Sequence, residues 1–488
     1  MSNKYLVKIA KIQSESKQTE LRPHHIRSLK KLDKENGLLI DHSMGSGKTL
    51  LMLKAIEKAQ LRNKKDSALA IVPASLASNM DKEIEKHHLK IDLKRLNVTT
   101  YDKAVNDADS LRKKHHSIVV VDEAHRLRNT GTQRHKELRE IIENADQRVL
   151  ATGTTRYNHV SDMAPLINIV AKRKVLPEGK AEFEKEFVVR KSEHPGLLAR
   201  VLLGASPKET QILKNNKYLK KVLDKHVDYY DVKDDPKMNK FFPKSTEKHV
   251  EVEMSPEQRS LYKYMEGKMP AILRWKMRMG MPLDKKESSN LNAFSSGIRQ
   301  VSDSAKPFMP NSSSTSPKVM AMVDSIEKRK KGDKNFRGIA YSNYREAGLD
   351  ELSKELSRRN IKHGVYHGGL NKTEKDKIRD DYNSGKLPMM LISSSGSEGL
   401  DLKKTRLVQV MEPHFNGSKI DQVVARGIRF KSHEGLPEKD KQVDVEHYHS
   451  VHPKGFFGGR PHSIDQYLHH NSKSKNDLND QVTELMRV

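Results

Sequence analysis

The chain has 488 residues, with 91 Lys and Arg against 64 Asp and Glu, a net charge of +27, and no cysteine. Disulfides, Cys–zinc sites and thiol catalysis are therefore excluded, while the length allows two or three domains with sizeable cores. The basic excess points to a polyanionic partner, and with aromatic residues at only 5% the contacts expected are to phosphates rather than stacked bases.

No apolar run approaches membrane-spanning length, and the N-terminal Met-Ser-Asn-Lys-Tyr-Leu-Val-Lys has no signal-peptide core. The expectation is a soluble, cytoplasmic protein with no membrane partner. Residues 1–20 read as a polar arm. Gly37–Ile40 is a short apolar run suited to a buried strand. It is followed by a loop with Gly45 and Gly47, by Lys48-Thr49, and by helical spacing of apolar residues from Leu50 to Ala59. Strand, glycine loop, Lys-Thr and helix make a phosphate-binding loop over Met44, Gly45, Ser46, Gly47, Lys48 and Thr49. Its glycines let successive N–H groups face one anion, Lys48 would reach the β- and γ-phosphates of ATP, and the Thr49 hydroxyl would ligate Mg²⁺. The place of the first glycine of the full pattern is held by His42, and a glycine turn before a lysine-bearing surface helix is the alternative reading.

Further strands are expected at Ala68–Val72, Asn97–Tyr101, Ser117–Val121 and Arg148–Ala151. Strands alternating with helices give a parallel α/β sheet whose ligands sit at strand C-termini. Asp122 and Glu123 end one apolar strand. One acid would hold Mg²⁺, and the next would orient and deprotonate the attacking water. From 160 to 250 helical patterns dominate, and His249–Met254 reads as a strand assigned to the first sheet. Residues 255–300 read as helical. There Trp275 and five methionines between Met265 and Met281 suit a packed core with a basic outer face better than a DNA-contacting wedge. Ser302–Pro317 reads as a flexible Ser/Pro-rich linker.

A second α/β pattern follows, with strands at Arg337–Tyr341, Lys362–Tyr366, Met389–Ser393, Arg406–Met411 and Val443–Tyr448, then a polar helical end. The small residues of Ser393–Asp401 allow close backbone approach to a phosphate. Gln422, Arg426 and Arg429 are spaced to share one helix face, where two guanidinium groups could meet a developing γ-phosphate charge. A basic helix on a basic protein is the alternative. His447, His449 and His452 read as surface histidines rather than a metal site.

In this order the motifs resemble those of the superfamily 2 helicases and translocases over residues 21 to about 470. They fall at Met44–Thr49, Ile71–Leu76, Asp122–His125 (Asp-Glu-Ala-His), Ala151–Thr154, Ala340–Asn343, Ser393–Leu402 and Gln422–Arg429. Leu21-Arg22-Pro23, Asp41 to Thr49 and Gly399-Leu400-Asp401-Leu402 resemble the remodeller-like branch, and the run Glu412–Asn416 through Arg426–His433 resembles, closer still, the poxvirus-type nucleoside triphosphatase I and related phage and large-virus helicases. The resemblance implies two tandem RecA-like lobes, parallel sheets flanked by helices. The organisation expected is an arm over 1–20, an ATP-binding lobe over 21–254, a helical insertion and linker over 255–317, and a second lobe over 318–488. It implies ATP between the lobes, with Lys48, Asp122, Glu123, Gln422, Arg426 and Arg429 catalytic, and Thr49 and Asp122 holding Mg²⁺. It further implies nucleic-acid contacts from Pro73, Ser75, Thr100, His367, Gly368, Ser394 and Ser395, and coupling through His125, Thr152, Gly399 and Asp401. The activity implied is ATP-driven movement along DNA, in viral or phage replication, recombination or repair. Transcription with RNA polymerase is the alternative, and RNA unwinding a more distant one. His25 stands where many relatives carry an adenine-reading Gln, so base selectivity is open.

Overall fold

The computed structural model describes residues 19–63, 65–153, 159–193, 208–283, 285–309, 311, 315–394, 400–414, 417–455 and 460–487. They form two compact units, one of residues 1–189, 212–236 and 478–488, the other of residues 190–211 and 237–477.

In the first unit, runs such as Ile-Val-Val-Val cannot be satisfied by one covered face, so they build strands buried on both sides. The strands are β1 (Gly37–His42), β2 (Ser67–Ile71), β3 (Leu96–Thr99), β4 (His116–Asp122), β5 (Gln147–Thr152) and β6 (Val227–Tyr230), in the order β3-β2-β4-β5-β1-β6. All pairings are parallel. Because side chains alternate along a strand, Leu38, Ile40, Val120 and Val149 face one layer and Leu39, Val119, Val121 and Leu150 the other. Helices α1 (Pro23–Glu35) and α2 (Lys48–Arg62) cover the first face. Helices α3 (Gln133–Asn144) and α4 (Met163–Ala171) cover the second.

Strand β6 lies in a stretch where the sequence suggested helices. Its Asp228 is buried and accepts from Ser28 Oγ at 2.6 Å and Arg27 Nε at 2.8 Å, with His42 Nε2 at 2.8 Å. Burial alone would push this carboxyl up. The bonds from His42 and Arg27 outweigh that and hold it well below the usual carboxylate range. Ser43 N–H donates to the Tyr230 carbonyl at 2.8 Å, and Ser43 Oγ accepts from Val232 N–H at 2.9 Å. The exit of β1 is thus tied to β6 on both sides of the peptide.

The second unit has a parallel sheet of β7 (Lys244–Glu253), β8 (Gly338–Ser342), β9 (His363–Tyr366), β10 (Met389–Ser393), β11 (Leu407–Val410) and β12 (Gln442–Val451), in the order β9-β10-β8-β11-β12-β7. Strand β7 corrects the sequence assignment. It belongs to the second sheet, paired with β12 along ten residues from Gln442↔Lys244 to Val451↔Glu253. Helices α5 (Pro256–Gly267), α6 (Ala271–Arg278) and α7 (Lys285–Asp303) form a separate core with Met254, Met269, Met277 and Tyr467, while Trp275 is half-exposed.

The Ser/Pro-rich stretch is also corrected. Ser302, Asp303 and Ser304 are buried, and Ser316 Oγ donates to the Asp303 carbonyl. Lys318 Nζ, at the start of α8 (Pro317–Gly332), donates at 2.8 Å to both Asp303 and Asp465. The linker's described ends are therefore packed.

Removing the Asp228 carboxylate strands buried partners. Asp228→Ala is expected to cost about 3 kcal/mol, read as a lowered Tm. Because the folded-state pKa is depressed, this contribution is present above about pH 4 and is lost on further acidification. The Tm gap between wild type and variant should persist at pH 5 and shrink below pH 4.

Candidate ATP and nucleic-acid sites

In a parallel sheet all strands end on one edge, so residues far apart in sequence meet there. In the first unit that edge carries the Ser43–Gly47 loop, Pro73, Thr100, Asp122 and Thr152. Gly45 and Gly47 have φ of 80° and 91°, a region costly for a residue with a Cβ. A Cβ on Gly47 would also come within 3.0 Å of the His25 ring. His24 and His25 each donate from Nε2 to the Ser46 carbonyl at 2.9 Å, and His24 stacks on Tyr230 at 3.7 Å. Burial lowers His24 to about 3 and His25 to about 4, so both are neutral near pH 7. His25, at the position of the adenine-reading Gln, holds the loop's own backbone.

Lys48 Nζ donates to the His42 carbonyl at 2.7 Å and the Ser43 carbonyl at 3.2 Å. Burial lowers its pKa, opposed by the Glu123, Asp122 and Asp41 carboxylates. A Cβ on Gly153, just beyond β5, would lie 3.3 Å from that ammonium. Gly153 therefore lets the turn close over the lysine.

Burial, reinforced by the neighbouring Glu123 carboxylate and opposed by Lys48, pushes Asp122 up to about 7. Glu123 sits at φ 52°, left-handed for a residue with a side chain. What fixes it is Tyr101, missed in the sequence reading, whose buried hydroxyl lies 2.6 Å from the Asp122 carbonyl and 3.0 Å from the Glu123 carbonyl. His125 Nδ1 lies 3.1 Å from Thr152 Oγ1 and 3.2 Å from Glu123 Oε2. One imidazole thus links the acidic turn to the end of β5. Pro73 caps the short helix Ala74–Ala77, which contains Ser75, and Thr100 precedes Tyr101–Asn106.

In the second unit, His367 and Gly368 follow β9, and Ser394 follows β10. They share the C-terminal edge of that sheet. Thr154, Ser395 and Gly399 lie outside the described residues. Gln422 and Arg426 are on α9 (Gly417–Gly427), with Arg426 buried. Arg429 corrects the expected shared face. The helix ends at Gly427, and Arg429 Nη1 instead donates to Asp401 Oδ1 at 3.2 Å. The motif holding Asp401 and the motif holding Arg429 are therefore in direct contact.

Residues 93–306 match the SNF2-related domain, residues 318–431 the helicase conserved C-terminal domain, and residues 11–156 the res subunit of type III restriction enzymes. The chain is 29% identical to an Acanthamoeba polyphaga mimivirus protein named as an ATP-dependent RNA helicase, over 96% of both chains. It is 25% identical to an African swine fever virus protein named as a termination factor NPH-I homolog, over 92% of this chain and 75% of that one. Among solved structures, the Sulfolobus solfataricus SWI2/SNF2 ATPase core in complex with dsDNA is similar at 18% identity, over 89% of this chain and 88% of that chain, with a TM-score of 0.38. The chain belongs to the superfamily 2 helicases and translocases, built from an SNF2-related domain followed by a helicase C-terminal domain. It is an ATP-using enzyme of that class, with a nucleic-acid partner.

The raised Asp122 carboxyl gives a stability signature. Its folded-state pKa lies above the unfolded value, so its contribution is present at low pH and is lost as pH rises through about 7. Asp122→Asn mimics the neutral acid. The loss begins above the unfolded pKa of about 4, so the variant should leave the ligand-free Tm nearly unchanged at pH 4 and raise it progressively, by about 2 °C or more at pH 8, while abolishing ATP hydrolysis.

Proposed function

We propose that this chain is a DNA-dependent ATPase that converts ATP hydrolysis into movement along DNA. The observation that carries the reading is the convergence of Lys48, the Asp122–Glu123 turn and the His125–Thr152 link on one sheet edge. Lys48 and the loop N–H groups would hold the β- and γ-phosphates. The Thr49 hydroxyl and the Asp122 carboxylate are hard oxygen donors and fit Mg²⁺, which when bound would neutralise phosphate charge. Glu123 would take the proton from the attacking water. His125 would relay the state of that turn to Thr152.

Gln422, Arg426 and Arg429 belong to the second unit and are assigned to the charge that develops on the γ-phosphate, with Asp401 orienting Arg429. Pro73, Ser75, Thr100, His367, Gly368, Ser394 and Ser395 would touch the nucleic-acid backbone, and Gly399 with Asp401 would couple that contact to the state of the ATP site. A +27 chain with few aromatics favours phosphate contacts, hence weak sequence preference and steep salt dependence.

The setting proposed is the interior of a host cell, at viral or phage DNA, in replication, recombination or repair. Similarity to the NPH-I termination factor homolog supports a second reading, the same motor acting with RNA polymerase. The name of the mimivirus relative makes RNA a substrate to compare directly.

Hydrolysis should be stimulated by duplex DNA more than by RNA, and Lys48→Ala should abolish it. Arg429→Ala should keep ATP affinity within about twofold while lowering DNA-stimulated kcat about a thousandfold. Steady-state kinetics beside nucleotide binding by fluorescence separates these effects. Hydrolysis that ignores DNA, or that survives Lys48→Ala, would refute the proposal.

A further inference from the structure

The three histidines dismissed in the sequence as surface residues do not stay together. His449 and His452 are buried, and His452 packs edge-on against Tyr262 at 5.2 Å. His449 meets two histidines from elsewhere in the same unit. Parallel register sets His249 of β7 opposite His447 of β12, so the His249 ring lies between His447 and His449, with centroids at 5.0 and 5.3 Å. The third ring comes from α10 (Ile464–Met486). Asp465 on that helix accepts from Ser450 N–H at 2.9 Å, which locks the helix to β12. One turn further on, His469 lies over the same place, its ring 4.3 Å from His249 and 4.9 Å from His449.

We propose that His249, His449 and His469 form a binding site for one divalent transition-metal ion of the zinc class, clamping the edge strand, its neighbour and the C-terminal helix together. One ring nitrogen from each of the three lies within 4.8 Å of the other two. His249 Nδ1 and His449 Nε2 are 3.1 Å apart. The edge of a zinc–imidazole tetrahedron is about 3.4 Å, so closing the three nitrogens onto one ion needs only small ring movements. The ligand set is all imidazole, which favours zinc, copper, nickel and cobalt over magnesium or calcium. Burial, with the neighbouring histidines, lowers the pKa of His449, and the ligating form of imidazole is the neutral one. In the metal-free chain His449 Nε2 is in hydrogen-bond range of His249 Nδ1, and the other ring nitrogen of His449, Nδ1, is buried without a hydrogen-bond partner. A fourth coordination position would fall to water or to His447.

The test uses the tag-free, EDTA-dialysed full chain titrated with Co²⁺ and followed by visible absorption, then back-titrated with Zn²⁺. The expected result is one Co²⁺ per chain with the intense d–d bands of a tetrahedral site, bleached by Zn²⁺, and a Tm raised by either ion. His249→Gln on the exposed strand and His469→Gln should each weaken Co²⁺ binding at least about tenfold. Circular dichroism checks that both variants fold. His115→Ala, in the exposed Asp66–His115–Asp146 cluster, should change nothing. Absence of the bands overturns the proposal, as do bands untouched by both glutamine variants or lost only with His115→Ala.

Discussion

The phosphate loop depends on a carboxylate that no motif contains. Loops that gather N–H groups around an anion need their backbone held in place before the anion arrives, since that backbone is strained and its dipoles repel one another. Here the holding group is Asp228. It takes hydrogen bonds from α1 through Arg27 and Ser28 and lies against His42 at the end of β1. His42, in the place of the missing glycine, is therefore a buried anchor. The two histidines of α1 then grip the Ser46 carbonyl from the other side. Strand, loop and helix are tied together by neutral imidazoles and one carboxylate, and Lys48, held by the His42 and Ser43 carbonyls, is the cation that the loop keeps beside the acidic turn.

The same economy appears at the acidic turn. Asp122 is pushed up by burial, and Glu123 is held in a left-handed backbone. Both features cost stability in the ligand-free chain, and a cation bound at Asp122 would offset the first. Tyr101 keeps the turn from relaxing by holding its two carbonyl oxygens. Tyr101 directly follows Thr100, a residue proposed to contact the nucleic-acid backbone, so a pull on that segment would reach the acidic turn through one hydrogen-bonded ring.

Strands with unbroken aliphatic runs were legible in the sequence, because only burial on both faces explains Ile-Val-Val-Val or Met-Met-Leu-Ile. Val-Asp-Tyr-Tyr was not, since its buried Asp228 breaks the apolar run and its partners are some 200 residues away. Strand β7 was legible as a strand through its alternation, but not as a member of the second sheet. Parallel pairing is non-local and leaves no mark in the strand itself. Gly427 carried the signal that α9 stops before Arg429, and the spacing argument passed over it. The phosphate loop and the Asp-Glu-Ala-His turn could be read because their chemistry is local. The histidine cluster could not, because three distant segments build it.

What distinguishes a motor from an ATPase that merely binds DNA is displacement of an obstacle. The direct measurement is release of a labelled triplex-forming strand from duplex DNA. With ATP, release should follow single-exponential kinetics after a lag that lengthens with the distance from the loading end. With a non-hydrolysable analogue there should be none. A chain that hydrolyses ATP on that same DNA while the triplex strand stays bound would contradict ATP-driven movement along duplex.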